Sequence, residues 1–263
     1  MGRLDGRVAV ITGGTQGVGR GIAQRFARDG ARIVIIDSDD AQAQETLKAL
    51  AAIPADAKYI AANLGAKAGV EKAVKQAAEA FGRIDILVNA VENDSALMPI
   101  ESRPDDSFTL TLARELYSPL WTMRAVLPHM KAQGGGHIVN IVSIYGDSIW
   151  RSLGDYNAAS EAVKALTRTA AEEWGPFGIL VNAIMPAADT PAYQKYRAKQ
   201  PERADQIVKS SAMGRMGDPE RDIGGAAMFL VSESGRFITG HMVFADGGQH
   251  LTPSPYEALI PAD

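Results

Sequence analysis

The chain has 263 residues, 46% of them hydrophobic, which is enough for one α/β domain with a sizeable core. Its formal net charge is −4 and acidic and basic residues are mixed, so no nucleic-acid-binding face is expected. It contains no cysteine, which excludes disulfides, thiolate metal sites and a thiol nucleophile. Its four histidines lack metal-ligand spacing, so no metal is expected either.

The sequence has no apolar signal segment and no apolar run of membrane-spanning length. We therefore expect an intracellular, cytoplasmic protein with no membrane partner.

The first predicted element is a strand from Val8 to Thr12, which breaks into a turn with four glycines between Gly13 and Gly19. Helical spacing resumes at Ile22. Glycines let an anion approach the main chain, and a new helix N-terminus favours a phosphate. The alternative is an ordinary strand-to-helix turn. The nucleotide interpretation gives this set of cofactor contacts: Gly13, Thr15, Gln16, Gly17, Val18 and Gly19.

The second strand, 31–37, ends in Asp37, about 20 residues beyond the glycines, where an acid meets a ribose diol. Such a carboxylate binds the adenosine hydroxyls of NAD and repels the extra phosphate of NADP. Gln16 supplies no basic group to reverse this preference, so NAD is expected rather than NADP. Ser38 belongs to the same predicted contact region. The alternative for Asp37 is a helix cap, because Ser38, Asp39 and Asp40 follow.

Helix and strand patterns alternate through the rest of the chain, without a linker or a repeat. Further strands are predicted at 57–62, 84–89, 137–142, 179–184 and 241–244. Further helices are predicted at 41–52, 66–81, 105–131, 155–174 and 219–231. We expect one α/β domain over 1–263, of the doubly wound Rossmann type, with a mainly parallel seven-stranded sheet and helices on both faces. A polar segment at 187–213 is expected to be mobile and to cover the substrate, and 250–263 is expected to form a tail.

Several motifs resemble those of a classical short-chain dehydrogenase/reductase, over roughly residues 5 to 249. Residues 12–19 fit T-G-x-x-x-G-x-G, and 138–143 resemble the strand that ends in the catalytic serine. Tyr156 follows Ser143 at the family's spacing. Segments 179–186 and 240–248 resemble the last two strands. The resemblance implies an NAD(H)-dependent oxidoreductase acting on a small-molecule alcohol or carbonyl.

The resemblance also implies residue roles. Tyr156 would pass a proton to or from the substrate oxygen, and Ser143 would hold that oxygen. The family's remaining cofactor contacts fall on Asn63, Leu64, Asn89, Ala90, Val91, Tyr156, Ser160, Pro186, Ala187 and Thr190. The family's mode of association implies a homo-oligomer, a tetramer or a dimer. Aromatic and apolar residues for a substrate pocket are Tyr145, Trp150, Tyr193, Tyr196 and Met213.

The catalytic half departs from the family pattern. The lysine expected four residues after the tyrosine is Ser160, and the asparagine of the family's proton relay aligns with Glu115. A cation about 5 Å away at an effective dielectric near 20 is worth roughly 3 kcal/mol, about two pKa units. Its loss and a new carboxylate both disfavour a tyrosinate. The alternative for Glu115 is an exposed helix residue after a one-residue alignment slip. Where the family has N-N-A-G, this chain has 89–92 with Glu92 in place of glycine.

Two functions follow from this pattern. The leading one is an oxidoreductase centred on Tyr156 and Ser143, with Glu115 or Glu92 as an unusual acid/base group in the proton relay. The alternative is a catalytically silent or non-redox relative that binds NAD as a structural or sensing ligand, or that partners an active subunit.

Overall fold

The computed structural model describes residues 2–92, 97–144 and 152–251. In these residues seven strands form one sheet in the order β3-β2-β1-β4-β5-β6-β7. Each neighbouring pair is parallel. The strands are β1 Val8–Thr12, β2 Arg32–Asp37, β3 Ala57–Ala61, β4 Ile86–Asn89, β5 Gly136–Ile141, β6 Ile179–Pro186 and β7 Met242–Ala245. The predicted α/β class and doubly wound sheet are confirmed.

Helices connect these strands across both faces of the sheet. Those before β5 are α1 Gly17–Arg28, α2 Asp40–Ala51, α3 Lys67–Phe81, α4 Asp105–Leu112 and α5 Ser118–Ala132. Those after β5 are α6 Gly154–Trp174, α7 Pro191–Lys199, α8 Pro201–Ser210 and α9 Gly224–Val231. Within the described ranges, no helix is both long and apolar enough to span a membrane.

The central strands are mostly apolar because the sheet is covered on both faces. In β1, Ala9 and Ile11 join a core with α1 and α9, whereas Val8 and Val10 join the opposite core with α3 and α5. This alternation is the normal period of a strand. A third, smaller core, with Val142, Val163 and Met185 among its members, lies beneath the carboxyl ends of β5 and β6.

The caps explain several predicted boundaries. Helix α3 ends at Gly82, whose φ of 76° is left-handed. Helix α2 begins after Asp39, whose side chain accepts a hydrogen bond from the Gln42 amide at 2.9 Å. The capping residue is therefore Asp39, and Asp37 is not needed for that role.

Two segments differ from the sequence-based expectation. The predicted helix over 105–131 contains a π-helical turn, Ala113–Tyr117, between α4 and α5. The polar segment 187–213 contains α7 and α8, two helices that its weak hydrophobic pattern did not indicate. Thr190 caps the first of them by accepting a bond from the Tyr193 amide at 3.2 Å.

Candidate active site

The glycine turn lies at the carboxyl end of β1, next to the point where the strand order reverses between β1 and β4. A Cβ on Gly19 would overlap the carbonyl oxygen of Gly13. A Cβ on Gly13, whose φ is +67°, would lie 2.6 Å from the Cα of Val91. Only glycine fits at these two positions, so the turn is a close-packed strand-to-helix junction at the site where such sheets bind ligands.

Asp37 ends β2 and reaches this turn. Its carboxylate accepts hydrogen bonds from the hydroxyl and the amide of Thr15, at 2.6 and 3.3 Å, and from the amide of Ser38 at 2.7 Å. A carboxylate has about four acceptor positions, so Asp37 retains capacity for a ribose hydroxyl. The structure thus joins the two parts of the predicted adenosine site, and exposed Ser38 stands at its rim.

A buried chain of polar side chains runs along the face of the sheet that α5 and α6 cover, from β4 to β5. The hydroxyl of Thr122 donates to Asn89 at 2.7 Å, the Asn89 amide donates to Asn140 at 2.8 Å, and the Asn140 amide donates to Thr167 at 2.9 Å. These bonds tie β4, β5, α5 and α6 together. The side chain of Asn89 is therefore a link between strands, and a contact of Asn89 with the cofactor stays a prediction.

Ser143, Tyr156 and Ser160 meet where β5 ends against the first turns of α6. The side chains of Ser143 and Tyr156 are hydrogen-bonded to each other. The Oγ of Ser160, which is 4% exposed, accepts a hydrogen bond from the backbone amide of Ser143 at 2.8 Å. Ser160 therefore fixes the backbone that carries the candidate catalytic serine.

Tyr156 lies in an environment that opposes ionisation. Burial raises its pKa above the ordinary value of 10, and the charges of Glu115 and Glu92 raise it further. The hydrogen bond from Ser143 acts in the opposite direction but does not reverse the shift. Tyr156 is therefore a neutral phenol, which can donate a proton.

Glu115 lies in the π-helical turn and is half-buried, close enough for its charge to act on Tyr156. A π turn widens the helix by one residue, and such turns are frequent at functional sites. This placement opposes the alternative of an exposed residue after an alignment slip.

Glu92 is the feature of the site that the sequence pattern identified least clearly. Its carboxylate faces Gly17, where a Cβ would lie 3.4 and 3.5 Å from the Oε2 and Oε1 atoms. The charge of this carboxylate also raises the pKa of Tyr156. The glutamate in place of the glycine of N-N-A-G indicates Glu92 as an unusual residue of the site, but no sequence pattern predicts its position over Gly17.

The remaining predicted contacts lie at or near the carboxyl ends of β3, β4 and β6. Asn63 accepts a bond from the Gly65 amide at 2.9 Å, and Leu64 is buried. Ala90 packs against Gly13. The amide of Ala187, directly after Pro186, donates to the Ala245 carbonyl at 3.1 Å. As the hydroxyl of Thr190 caps α7, a contact of Thr190 with the cofactor stays a prediction.

Three of the five residues of the predicted substrate pocket lie in the described part of the chain. Tyr193 and Tyr196 lie 6.5 Å apart between ring centres, and the Tyr193 hydroxyl bonds to the Ala204 carbonyl at 3.2 Å. This bond joins α7 to α8. Met213 is exposed. Tyr145 and Trp150 lie outside the described residues.

A buried ion pair stands directly beside the catalytic candidates. Arg103 and Asp155 are 2% and 0% exposed in their side chains, with Nη1 and Oδ2 2.8 Å apart. The same carboxylate accepts from the Thr111 hydroxyl at 2.7 Å and from the Tyr156 amide at 2.9 Å. The pair anchors the first turn of α6. No local motif predicts this pair, because its partners lie 52 positions apart.

The donor set fits the adenosine half of a nicotinamide dinucleotide. Gly13 and Gly19 leave no room for side chains, Asp37 borders the turn, and α1 begins at Gly17. On the other side of the turn, the Glu92 carboxylate lies over Gly17. The residues present therefore fit the adenosine end of such a cofactor, whereas the Glu92 carboxylate reduces the space over Gly17.

Comparison with known proteins agrees with this geometry. A family model described as enoyl-(acyl carrier protein) reductase matches residues 13–250. A 12alpha-hydroxysteroid dehydrogenase from a Clostridium species is 32% identical over 262 residues, covering 96% of this chain and 100% of that protein. A 2,3-dihydroxy-2,3-dihydro-p-cumate dehydrogenase from Pseudomonas putida is 33% identical, covering 94% and 96%.

Among solved structures, a short-chain type dehydrogenase/reductase from Mycobacterium ulcerans superimposes with a TM-score of 0.90 at 25% identity, covering 98% of this chain and 96% of that one. The match thus extends over nearly the whole chain in sequence and in fold. The chain belongs to the classical short-chain dehydrogenase/reductase family of oxidoreductases, whose members bind a nicotinamide cofactor.

Proposed function

We propose that this protein is an NAD(H)-dependent oxidoreductase that interconverts a secondary alcohol and a ketone on a carbon ring. The observation that carries the proposal is the bonded pair of Ser143 and Tyr156, on the same edge of the sheet as the glycine turn and Asp37. The choice of a cyclic substrate rests on the two relatives described above, whose names denote a hydroxysteroid and a dihydrodiol as substrates.

Each residue has a separate task in this proposal. The bound nicotinamide supplies or accepts the hydride. Ser143 holds the carbonyl oxygen by its hydroxyl, and Ser160 holds Ser143 by its backbone. Tyr156 is protonated before the reaction and donates its proton to that oxygen during reduction. Glu115 takes the place of the relay's asparagine: its carboxylate takes up a proton from solvent and passes that proton to the tyrosinate, which restores the phenol.

The choice of NAD over NADP rests on Asp37. Its carboxylate borders the turn, and its charge disfavours a second phosphate on the ribose. Gln16 and Ser38, which flank the same site, bring no positive charge to offset this effect.

The segment 187–213 is proposed to cover the substrate, and the family relationship supports a homo-oligomer. Both belong to the active form of the enzyme in this proposal.

A silent relative is the second candidate, and the environment of Tyr156 favours it. The carboxylates of Glu115 and Glu92 raise the pKa of this phenol. Ser160, at the position of the family's lysine, carries no charge and accepts a hydrogen bond from the Ser143 amide. A protein with this site could bind the cofactor and fail to transfer a hydride.

A titration of the purified protein separates the two candidates. Binding of NADH and of NADPH is followed by nucleotide fluorescence, and cyclic ketones are then added. The proposal predicts tighter binding of NADH than of NADPH, followed by oxidation of the NADH. Binding without oxidation by any ketone indicates the silent relative, and equal or tighter binding of NADPH contradicts the role of Asp37.

A further inference from the structure

The backbone after β4 crosses the glycine turn at close range. The Cα of Val91 lies so near Gly13 that a Cβ on Gly13 would be only 2.6 Å from it. This packing directs residue 92 across the turn toward α1. As a result, the half-buried Glu92 carboxylate lies opposite Gly17, with both oxygens at van der Waals distance from the position of a Cβ.

The start of α1 lacks an internal cap of the usual kind. The side chain of Gln16, the N-cap residue, makes no capping bond, and the first turn of α1 contains no acidic residue. The helix N-terminus therefore attracts a negative group from elsewhere. The Glu92 carboxylate is a negative group of the chain itself that lies beside Gly17, the first residue of this helix.

A phosphate bound at the same helix N-terminus would need this space. A carboxylate and a pyrophosphate are both anions, and they cannot occupy one position over Gly17. Binding of the dinucleotide therefore requires the Glu92 side chain to turn away.

We propose that Glu92 competes with the phosphates of the cofactor for the glycine turn, and so sets the affinity of the protein for NADH. The inference rests on the proposed function, because it takes the glycine turn as the cofactor site. In this proposal Glu92 lowers the affinity for NADH, whereas the glycine turn and Asp37 contribute to the binding of NADH. Glu92 faces the glycine turn, and its charge also raises the pKa of Tyr156, so the same side chain acts on both halves of the site.

The test is equilibrium binding of NADH, followed by fluorescence, to three variants of the full chain. Glu92→Gly removes the carboxylate and its bulk, and Glu92→Gln removes the charge alone. Glu173→Gln is the matched control, because Glu173 is exposed near the far end of α6. The thermal midpoint of each protein without nucleotide shows that each variant is folded.

We expect Glu92→Gly to bind NADH at least ten-fold more tightly than the wild type, and Glu173→Gln to bind it equally well. A similar gain in Glu92→Gln assigns the competition to charge, and a gain in Glu92→Gly alone assigns it to bulk. A Glu92→Gly protein that binds NADH within two-fold of the wild type overturns the proposal. Failure of wild type and variants alike to bind NADH would instead contradict the proposed function, and this inference with it.

Discussion

At the scale of single residues, Tyr156 is the group whose protonation the site controls. Burial comes first among the causes that raise its pKa, followed by the charge of Glu115. The family's lysine would act in the opposite direction, and Ser160 in its place carries no charge. The site therefore combines a retained tyrosine with surroundings that keep it protonated.

Replacing Glu115 by Gln tests this electrostatic account. Loss of the carboxylate charge should lower the pKa of Tyr156, so that its ionisation begins at lower pH than in the wild type. Ultraviolet difference titration measures this ionisation, with Tyr156→Phe in each background to isolate the signal. Glu173→Gln should leave the titration unchanged. An unchanged Tyr156 titration in Glu115→Gln would mean that Glu115 does not act on the phenol.

A second prediction concerns the hydrogen bond between Ser160 and the Ser143 amide. Ser160→Ala removes the acceptor of the Ser143 amide and leaves a buried N–H without its partner, at a cost of about 1–3 kcal/mol. Because Ser143 would lose its fixed position, we expect kcat to fall about ten-fold or more while the Kd for NADH changes little. Ser160→Thr keeps a hydroxyl and should retain more activity than Ser160→Ala. Equal activity of Ser160→Ala and the wild type would show that this bond does not position Ser143.

At the scale of elements, the first turn of α6 depends on the buried pair of Arg103 and Asp155. Removing one partner leaves the other charge buried, which typically costs about 3–5 kcal/mol. Arg103→Met and Asp155→Asn should each lower the free energy of unfolding by about this amount in urea denaturation. The exposed pair of Lys75 and Glu79 is the control, and Lys75→Met should change the free energy by less than about 1 kcal/mol. Similar small effects at both pairs would contradict an anchoring role.

The elements themselves were largely predictable from the sequence. Strand β1 is a short apolar run followed by Gly13, and β2 is one that ends in Asp37. Helix α3 has a clear apolar face with Gly82 after it. The π turn at Ala113–Tyr117 could not be predicted, because a single turn of five residues is too short to show a period of its own. No apolar face predicts α7, which has no buried residue, and α8 buries only three of its ten residues.

Site residues were predictable only where a local motif carries them. The glycines and Asp37 follow from spacing, and Ser143 and Tyr156 follow from the family motifs. The buried partners did not follow. The bond from the Ser143 amide to Ser160, and the place of Glu92 over Gly17, depend on which strand ends meet in space.

At the scale of the whole molecule, His137 couples stability to pH. Burial lowers its pKa to about 4 from the ordinary 6.5, with a further contribution from the charge of Arg7. The unfolded chain takes up a proton as the pH falls below 6.5, and the folded protein does so only near 4. Stability from this residue is therefore present above pH 6.5 and is lost as the pH falls toward 4.

We expect this residue to lower the free energy of unfolding by at most about 3 kcal/mol across that interval. Urea denaturation at the two ends of the interval measures the effect. His137→Gln keeps a side chain that can bond to the Leu230 carbonyl, which the imidazole contacts, and it cannot titrate. The variant should show a smaller loss of stability on acidification. An equal loss in both proteins would contradict the assignment to His137.

The central claim for the whole molecule is that Tyr156 completes hydride transfer in a site without the family's lysine. The most direct measurement is oxidation of NADH with cyclic ketones, by the wild type and by Tyr156→Phe, followed by nucleotide absorbance. The account predicts slow but measurable oxidation by the wild type and a loss of at least 100-fold in Tyr156→Phe, about 2.7 kcal/mol of transition-state stabilisation. NADH binding should be nearly equal in the two proteins. Oxidation that is undiminished in Tyr156→Phe would contradict the claim.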